Sequence, residues 1–204
     1  MGRKGFGAGV MVGALSAWLF GQWIAPAMGR GGESHECIPA EIAADYVHSA
    51  IQADRTFYTT DVVERMQMRG TVVASENWRA QGTLPLPAQF LMESALLMRG
   101  ERNGIRVRLL SNWAINKRNR PSTDFERTGL TEILVNSDRP HTGVITEDGG
   151  RYFQAIYPDK AVSQTCVGCH NAHPSSPKKD FKLRDVMGGI VITIPLAAQE
   201  GRSE

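Results

Sequence analysis

Cys166-Val167-Gly168-Cys169-His170 concentrates the reactive chemistry of this 204-residue chain. Two thiols three positions apart, followed at once by an imidazole, form the pattern by which a polypeptide holds a haem covalently. Each sulfur adds to one vinyl group, and the histidine is placed under the iron as an axial ligand. With 3 Cys and 5 His in the chain, composition alone would give the pattern about 0.001 times. Two other chemistries use the same residue types. A structural zinc site wants a second pair of ligands, and only Cys37 and scattered histidines are left to supply it. A redox dithiol would set the motif at the start of a helix after a strand, and leaves His170 without a task. The spacing therefore points to one covalently attached haem c on Cys166 and Cys169, with iron ligated by His170.

The opposite face of the iron needs a ligand, a substrate site or nothing. Candidates are Cys37, His35, His48, His141, His173 and several methionines. His173 follows His170 too closely to cross the haem. His48 lies in a helical pattern and reads as a core or surface histidine. Met66, Met68, Met92, Met98 and Met187 read as core filling. Cys37 is the odd cysteine. It stands where the helical pattern begins, and a helix N-terminus favours the thiolate, the form that binds iron. A free or lipid-modified thiol is the other reading of Cys37, and the residue types leave both open.

The elements around these residues can be read in outline. Ile38, Ile42, Tyr46, Ala50 and Ala53 recur at helical spacing, with Val47, Ile51, Phe57 and Tyr58 near the same face, which predicts one helix over 37–68, bent near Thr59-Thr60. After Leu84-Pro85-Leu86-Pro87, a second helix is expected over 88–99. Ile105, Val107 and Leu109 alternate with arginines as a half-buried strand. Ser122 or Thr123 can cap a helix through Leu134. Residues 144–146 and 151–157 flank Asp148-Gly149-Gly150 as a hairpin, and 188–194 form a last buried strand before Pro195. The sum is an α+β domain of about four antiparallel strands with helices on one side.

The chain ends place that domain. Arg3 and Lys4 precede an uncharged run to Gly29, long enough to cross a bilayer. Residues 1–28 are expected to be a membrane anchor, or a signal peptide cleaved at Ala25-Pro26-Ala27. A linker over 29–36, the domain over 37–196 and a tail over 197–204 follow. Either reading exports the domain, to the periplasmic side of a bacterial inner membrane, anchored or soluble. Net charge is +2, from 23 basic and 21 acidic residues; without its two N-terminal basic residues the exported part is balanced, which speaks against a nucleic-acid partner. At 42% apolar residues a real core is expected, and 3 Cys are too few for a disulfide scaffold.

Several stretches resemble a bacterial family of exported haem domains catalogued as a domain of unknown function. They are Tyr157-Pro-Asp-Lys-Ala161, Cys166–Pro174, Ser176-Pro177, Asp185–Ile190, Ala44–His48, Arg55, Tyr58, Val62-Val63, Leu86–Phe90 and Leu110–Asn116. The resemblance spans about residues 37–196. It implies a PAS-like antiparallel sheet flanked by helices, such as often precedes sensor-kinase modules. It also implies covalent haem on Cys166 and Cys169, with His170 and a cysteine at the place of Cys37 as the two axial ligands. The chain departs from the sensor pattern in having no kinase or cyclase domain after the last strand. Any signal is then expected to pass to a separate protein.

A His/Cys pair would favour ferric iron. One expected function is a redox or gas-ligand sensor: Cys37 leaves on reduction, CO or NO binds, and the helix that Cys37 begins is released. The alternative is an electron-transfer cytochrome docked to a membrane complex through a redox partner. No acid/base constellation marks an enzyme. Arg55 and Tyr58 read as structural residues that could approach a haem propionate, Trp78 and Trp113 as packing, and Lys117, Arg118 and Arg120 as a solvated basic loop.

Overall fold

The structure is a computed structural model that describes residues 37–99 and 103–197. The expected anchor, the linker and the tail beyond residue 197 lie outside the described residues. Among the described residues, no helix is long and apolar enough to cross a membrane.

Four antiparallel strands form the sheet, in the order β3-β6-β5-β4. They are β3 (Arg106–Leu110), β4 (His141–Glu147), β5 (Gly150–Lys160) and β6 (Val186–Pro195). The hairpin joining β4 to β5 turns on Asp148 and Gly149, with φ of 50° and 77°. Both are left-handed, as a two-residue turn matched to strand twist requires. Before the sheet come α1 (Ala40–Phe57), a π-helical segment (Tyr58–Glu64) and α2 (Arg65–Met68). A two-stranded parallel pair, β1 (Ala74–Ser75) and β2 (Leu84–Pro85), brackets the short α3 (Trp78–Gln81). Then follow α4 (Pro87–Arg99), α5 (Asp124–Val135) and α6 (Gln164–Ala172).

The α+β architecture with a PAS-like antiparallel sheet is the one expected, but the helices do not keep to one side. Strand parity shows why. Ala155, Tyr157, Ile190, Ile192, Val107 and Leu109 point to one face, where Ala44 of α1 and Leu91 and Ala95 of α4 meet them. Ile156, Val191 and Leu110 point to the other, against Leu130 and Ile133 of α5. A sheet whose strands are apolar on consecutive positions must be covered twice. Gly129 lets α5 come close: a Cβ there would lie 2.5 Å from Ile156 Cδ1.

The first helix differs from expectation in three ways. It starts at Ala40, with Pro39 extended at φ −54° and ψ 140°, so Cys37 is outside it. Its buried face is Ala44, Val47, Ile51 and Arg55; the stripe of Ile38, Ile42 and Tyr46 is exposed, at 63%, 40% and 65%. Two apolar stripes compete on this helix, and the one carrying the small Ala44 permits the closer approach to the sheet. Finally, the place marked for a bend is a π-segment. The Thr59 hydroxyl donates to the Arg55 carbonyl at 2.7 Å, and Thr60 to Thr56 at 3.1 Å. Such back-bonding competes with the regular ladder and accompanies its loosening.

Candidate haem site

The motif sits on α6, nine residues held at both ends. Ser163 is its N-cap: its Oγ accepts from the Cys166 N–H at 3.3 Å and lies 3.5 Å from Cys166 Sγ. His173 leaves the helix in extended backbone, as a residue before proline does. Within α6, Cys166, Cys169 and His170 fall at i, i+3 and i+4, hence on one side. Cys166 is half-buried against a small cluster of Ala161, Phe181 and Met187, with Trp113 at its edge. Cys169 is exposed.

Asn171 ties α6 to the following loop. Its Nδ2 donates to the Phe181 carbonyl at 2.9 Å, and its Oδ1 accepts from the Phe181 N–H at 3.0 Å. Phe181 then meets the His170 ring edge-on, centroids 5.8 Å apart, and the Trp113 ring at 5.6 Å. On the other side, Thr165 donates to Glu64 at 3.1 Å, so α6 docks on the end of the π-segment.

The motif follows β5 at the start of a helix, which is the setting a redox dithiol would need. That placement therefore does not separate dithiol from haem. What separates them is the adjacent His170, which a dithiol leaves without a task and a haem uses as its axial ligand.

The surroundings of His170 are polar and incompletely partnered. Its Nδ1 is buried with no hydrogen-bond partner among the described residues. Burial holds its pKa below the usual range; Asp159 opposes this, while Arg55 and His173 add to it. The ring is thus the neutral form that binds metals. Arg55 Nη1 donates to Asp159 in a pair 7% and 11% exposed at its side chains. Asp159 lies where the β5–β6 register shifts, a bulge of the kind that re-aims side chains beside sites.

Along α1, His48 stacks on Tyr157, centroids 3.9 Å apart and planes 7° from parallel. Tyr157 donates to Asp45 at 2.6 Å, and burial, helped by that bond, raises its pKa. His48 Nε2, Gln52 Oε1 and Arg55 Nε are all buried without partners. A groove of about 630 Å³ runs beside them, lined by His48, Gln52, Ala53, Thr56, Phe57 and Thr60. Phe57 is 64% exposed in it. Tyr58, by contrast, is structural: it donates to the Pro85 carbonyl at 2.7 Å and stacks on Phe90.

These residues fit a covalently held haem. Two thiols lie one turn apart on one helix face, a neutral imidazole with an orphaned buried nitrogen stands beside them, and an open groove with an exposed aromatic lies along α1. Cys37 is not brought among them. It is exposed, two residues ahead of the α1 N-cap, and thus outside the first turn where the helix field acts. Sequence reasoning assigned no role to Gln52, Asp159, Asn171 or Phe181. Asp159 and Asn171 lie in stretches that carry the family resemblance, but spacing alone attaches no chemistry to them.

A family model, Tll0287-like, matches residues 38–195. The chain belongs to that family. Its fold is similar to the crystal structure of the cyanobacterial haem protein Tll0287, with a TM-score of 0.52 and 17% identity, covering 80% of this chain and 99% of that one. No curated protein matches.

Proposed function

We propose that the domain is a single-haem c-type cytochrome that acts as a redox or gas-ligand sensor on the periplasmic side of a membrane. Cys166 and Cys169 would hold the haem through thioethers, and His170 would be its proximal ligand. The observation that carries this is the motif on a capped helix with the His170 Nδ1 buried and unpartnered among the described residues. A haem held there would supply one-electron chemistry and a site for CO or NO. The structurally similar cyanobacterial Tll0287 is itself a haem protein, which agrees with the reading.

The sensor part rests on where α6 touches. Thr165 bonds Glu64, at the end of the π-segment in the α1–α2 rod. A π-segment is where a helix can change register most cheaply, so movement of α6 has a compliant element to act on. In sequence the rod follows the expected linker over 29–36 and the expected anchor or signal peptide over 1–28, through which a signal would pass to a separate protein. For the iron's second face, the resemblance implied Cys37. Ala40 and His48, the first groove residue, are about 12 Å apart along the helix axis, and residues 37–39 span at most about 10 Å. Cys37 therefore approaches the groove only if that segment turns back along α1.

One observation favours an electron-transfer role: Cys169 is exposed, so one edge of an attached haem would be reachable by a redox partner. Hydrogen exchange on haem-loaded full-length protein separates the two. A sensor changes amide protection over 58–64 between oxidised, reduced and CO-bound forms; an electron carrier shows the same protection in all three.

A further inference from the structure

The near balance of charge along the chain hides an uneven distribution in space. The loop after β3, residues 111–120, carries Lys117, Arg118 and Arg120. The loop between α6 and β6, residues 174–185, carries Lys178, Lys179, Lys182 and Arg184. Together they hold 7 basic and 2 acidic residues, so of the chain's 23 and 21 they leave 16 and 19 elsewhere. The fold joins the two loops. The Ser111 hydroxyl donates to the Met187 carbonyl at 2.7 Å, and the Trp113 ring meets the Phe181 ring edge-on. Lys178 Nζ lies 5.6 Å from the Trp113 ring and 5.0 Å from the Phe181 ring. Phe181 in turn meets His170, centroids 5.8 Å apart, so the charged end of the molecule is the end that carries the motif.

Two observations set this cluster apart from ordinary solvated charge. Elsewhere in the domain Arg55, Arg79, Arg106, Arg108, Arg127 and Lys160 each pair with a carboxylate. Here Lys178 pairs with Asp180, and the other six side chains are exposed with no ion pair among the described residues. Asp185, the second acid, accepts from the Lys182 N–H instead. Arg184 is moreover held at φ 71°. Its N–H donates to the Ala161 carbonyl at 3.0 Å, and the Ala161 N–H donates to the Asp185 carbonyl at 2.9 Å. Glycine or asparagine takes that conformation at less cost, so the position keeps an exposed guanidinium against its backbone preference. Like charges left side by side without counter-charges repel one another, and an anionic surface relieves that repulsion.

We propose that these two loops are the docking surface for an acidic face of a soluble electron-transfer protein. The role rests on the haem reading above: the partner loses one electron as ferric iron becomes ferrous, and regains it in the reverse direction. Position favours a protein over a lipid surface. The chain enters the domain near Ala40, whereas Thr165 ties α6 to Glu64 at the other end of the α1–α2 rod, about 36 Å of helix away. The charged loops lie with α6, away from the end that the expected anchor precedes in sequence. Complementary charge speeds encounter more than it tightens binding, which suits a partner that must leave again.

The test uses full-length protein matured with haem, with ferricyanide and poly-L-glutamate as anionic probes. Lys117→Glu/Lys182→Glu alters one residue in each loop. Arg99→Glu/Arg151→Glu makes the same change in net charge at the opposite end of the sheet, where β3 and β5 begin. Ferricyanide oxidation of the ferrous protein at low ionic strength should slow by at least about ten-fold in the first variant and by less than about two-fold in the second. The difference should vanish in about 1 M salt. Poly-L-glutamate should protect the amides of 117–120 and 178–184 from exchange in the unaltered protein and not in Lys117→Glu/Lys182→Glu. Equal slowing in both variants, or no protection, overturns the surface. Protection by phosphatidylglycerol vesicles in place of poly-L-glutamate, absent with phosphatidylcholine vesicles, assigns the loops to lipid headgroups and overturns the protein partner. The exchange readout does not need haem. Absence of covalent haem in the unaltered protein therefore sinks the haem reading and the electron-transfer role, while covalent haem without steering or protection sinks the docking surface alone.

Discussion

The two faces of the sheet each bury a carboxylate that pairs with an arginine, and they handle it differently. On the α5 face, Glu126 is 2% exposed and saturated. It accepts from Arg108 at 2.8 Å, and from the Ser122 N–H at 2.7 Å and hydroxyl at 2.9 Å. On the α1 face, Arg55 and Asp159 pair, yet Arg55 Nε, His48 Nε2, Gln52 Oε1 and His170 Nδ1 around them have no partners. Gln154 Oε1, on the α5 side of β5, is the other buried orphan among the described residues. Buried polar groups left open are costly, and native proteins keep few. Four such groups on this side of the molecule, two of them (His48 and Gln52) lining the groove along α1, mark ground kept for a ligand, while the saturated network beneath α5 is packing.

The largest test of this contrast is removal of the thiols. Cys166→Ala with Cys169→Ala should abolish covalent haem, read as loss of the haem-stained band on a denaturing gel; Glu126→Gln should leave that band unchanged. Next come the two pairs. Removing one partner of a buried ion pair costs about 3–5 kcal/mol, so Arg55→Ala should lower the midpoint of chemical denaturation strongly, and Glu126→Ala, whose partner Arg108 is 37% exposed, should lower it less. Only the first should also change the haem absorption spectrum. An equal spectral change from both would remove the distinction between the faces.

A pH dependence follows from His48 and His170, which burial holds below the ordinary histidine range. In the Cys166→Ala/Cys169→Ala chain these rings are neutral when folded, and the unfolded chain binds protons first as pH falls. Stability should thus be level above about pH 6.5 and fall below it. In that chain, His48→Gln should flatten part of the acid slope, read as the denaturation midpoint against pH. The smallest effects are the helix caps. Thr123→Ala on α5 and Ser163→Ala on α6 each remove a side-chain cap and should each cost about 1 kcal/mol. Only the α6 change should also lower the yield of haem-loaded protein.

What was legible in the sequence was local. The haem motif lies within five residues, the hairpin turn within two, and the α5 cap within four, so their chemistry shows in the order of residues. The partners that make the motif a site are distant. Arg55 and Asp159 are separated by 104 positions, and Phe181 reaches His170 only because Asn171 fixes the intervening loop. The buried face of α1 was misread because that helix carries two apolar stripes, and periodicity cannot say which of them meets the sheet. Helices were expected on one side, yet the consecutive apolar residues Ala155, Ile156 and Tyr157, which demand two covers, were already in view.

The central claim, that the α6 motif carries a covalent haem, is tested most directly by a pyridine haemochrome spectrum of the full-length protein after maturation with haem, with protein mass measured alongside. The account predicts one haem per chain with the absorption of two saturated vinyl groups, lost in the double cysteine variant. Unmodified mass with free, alkylatable Cys166 and Cys169 would contradict it.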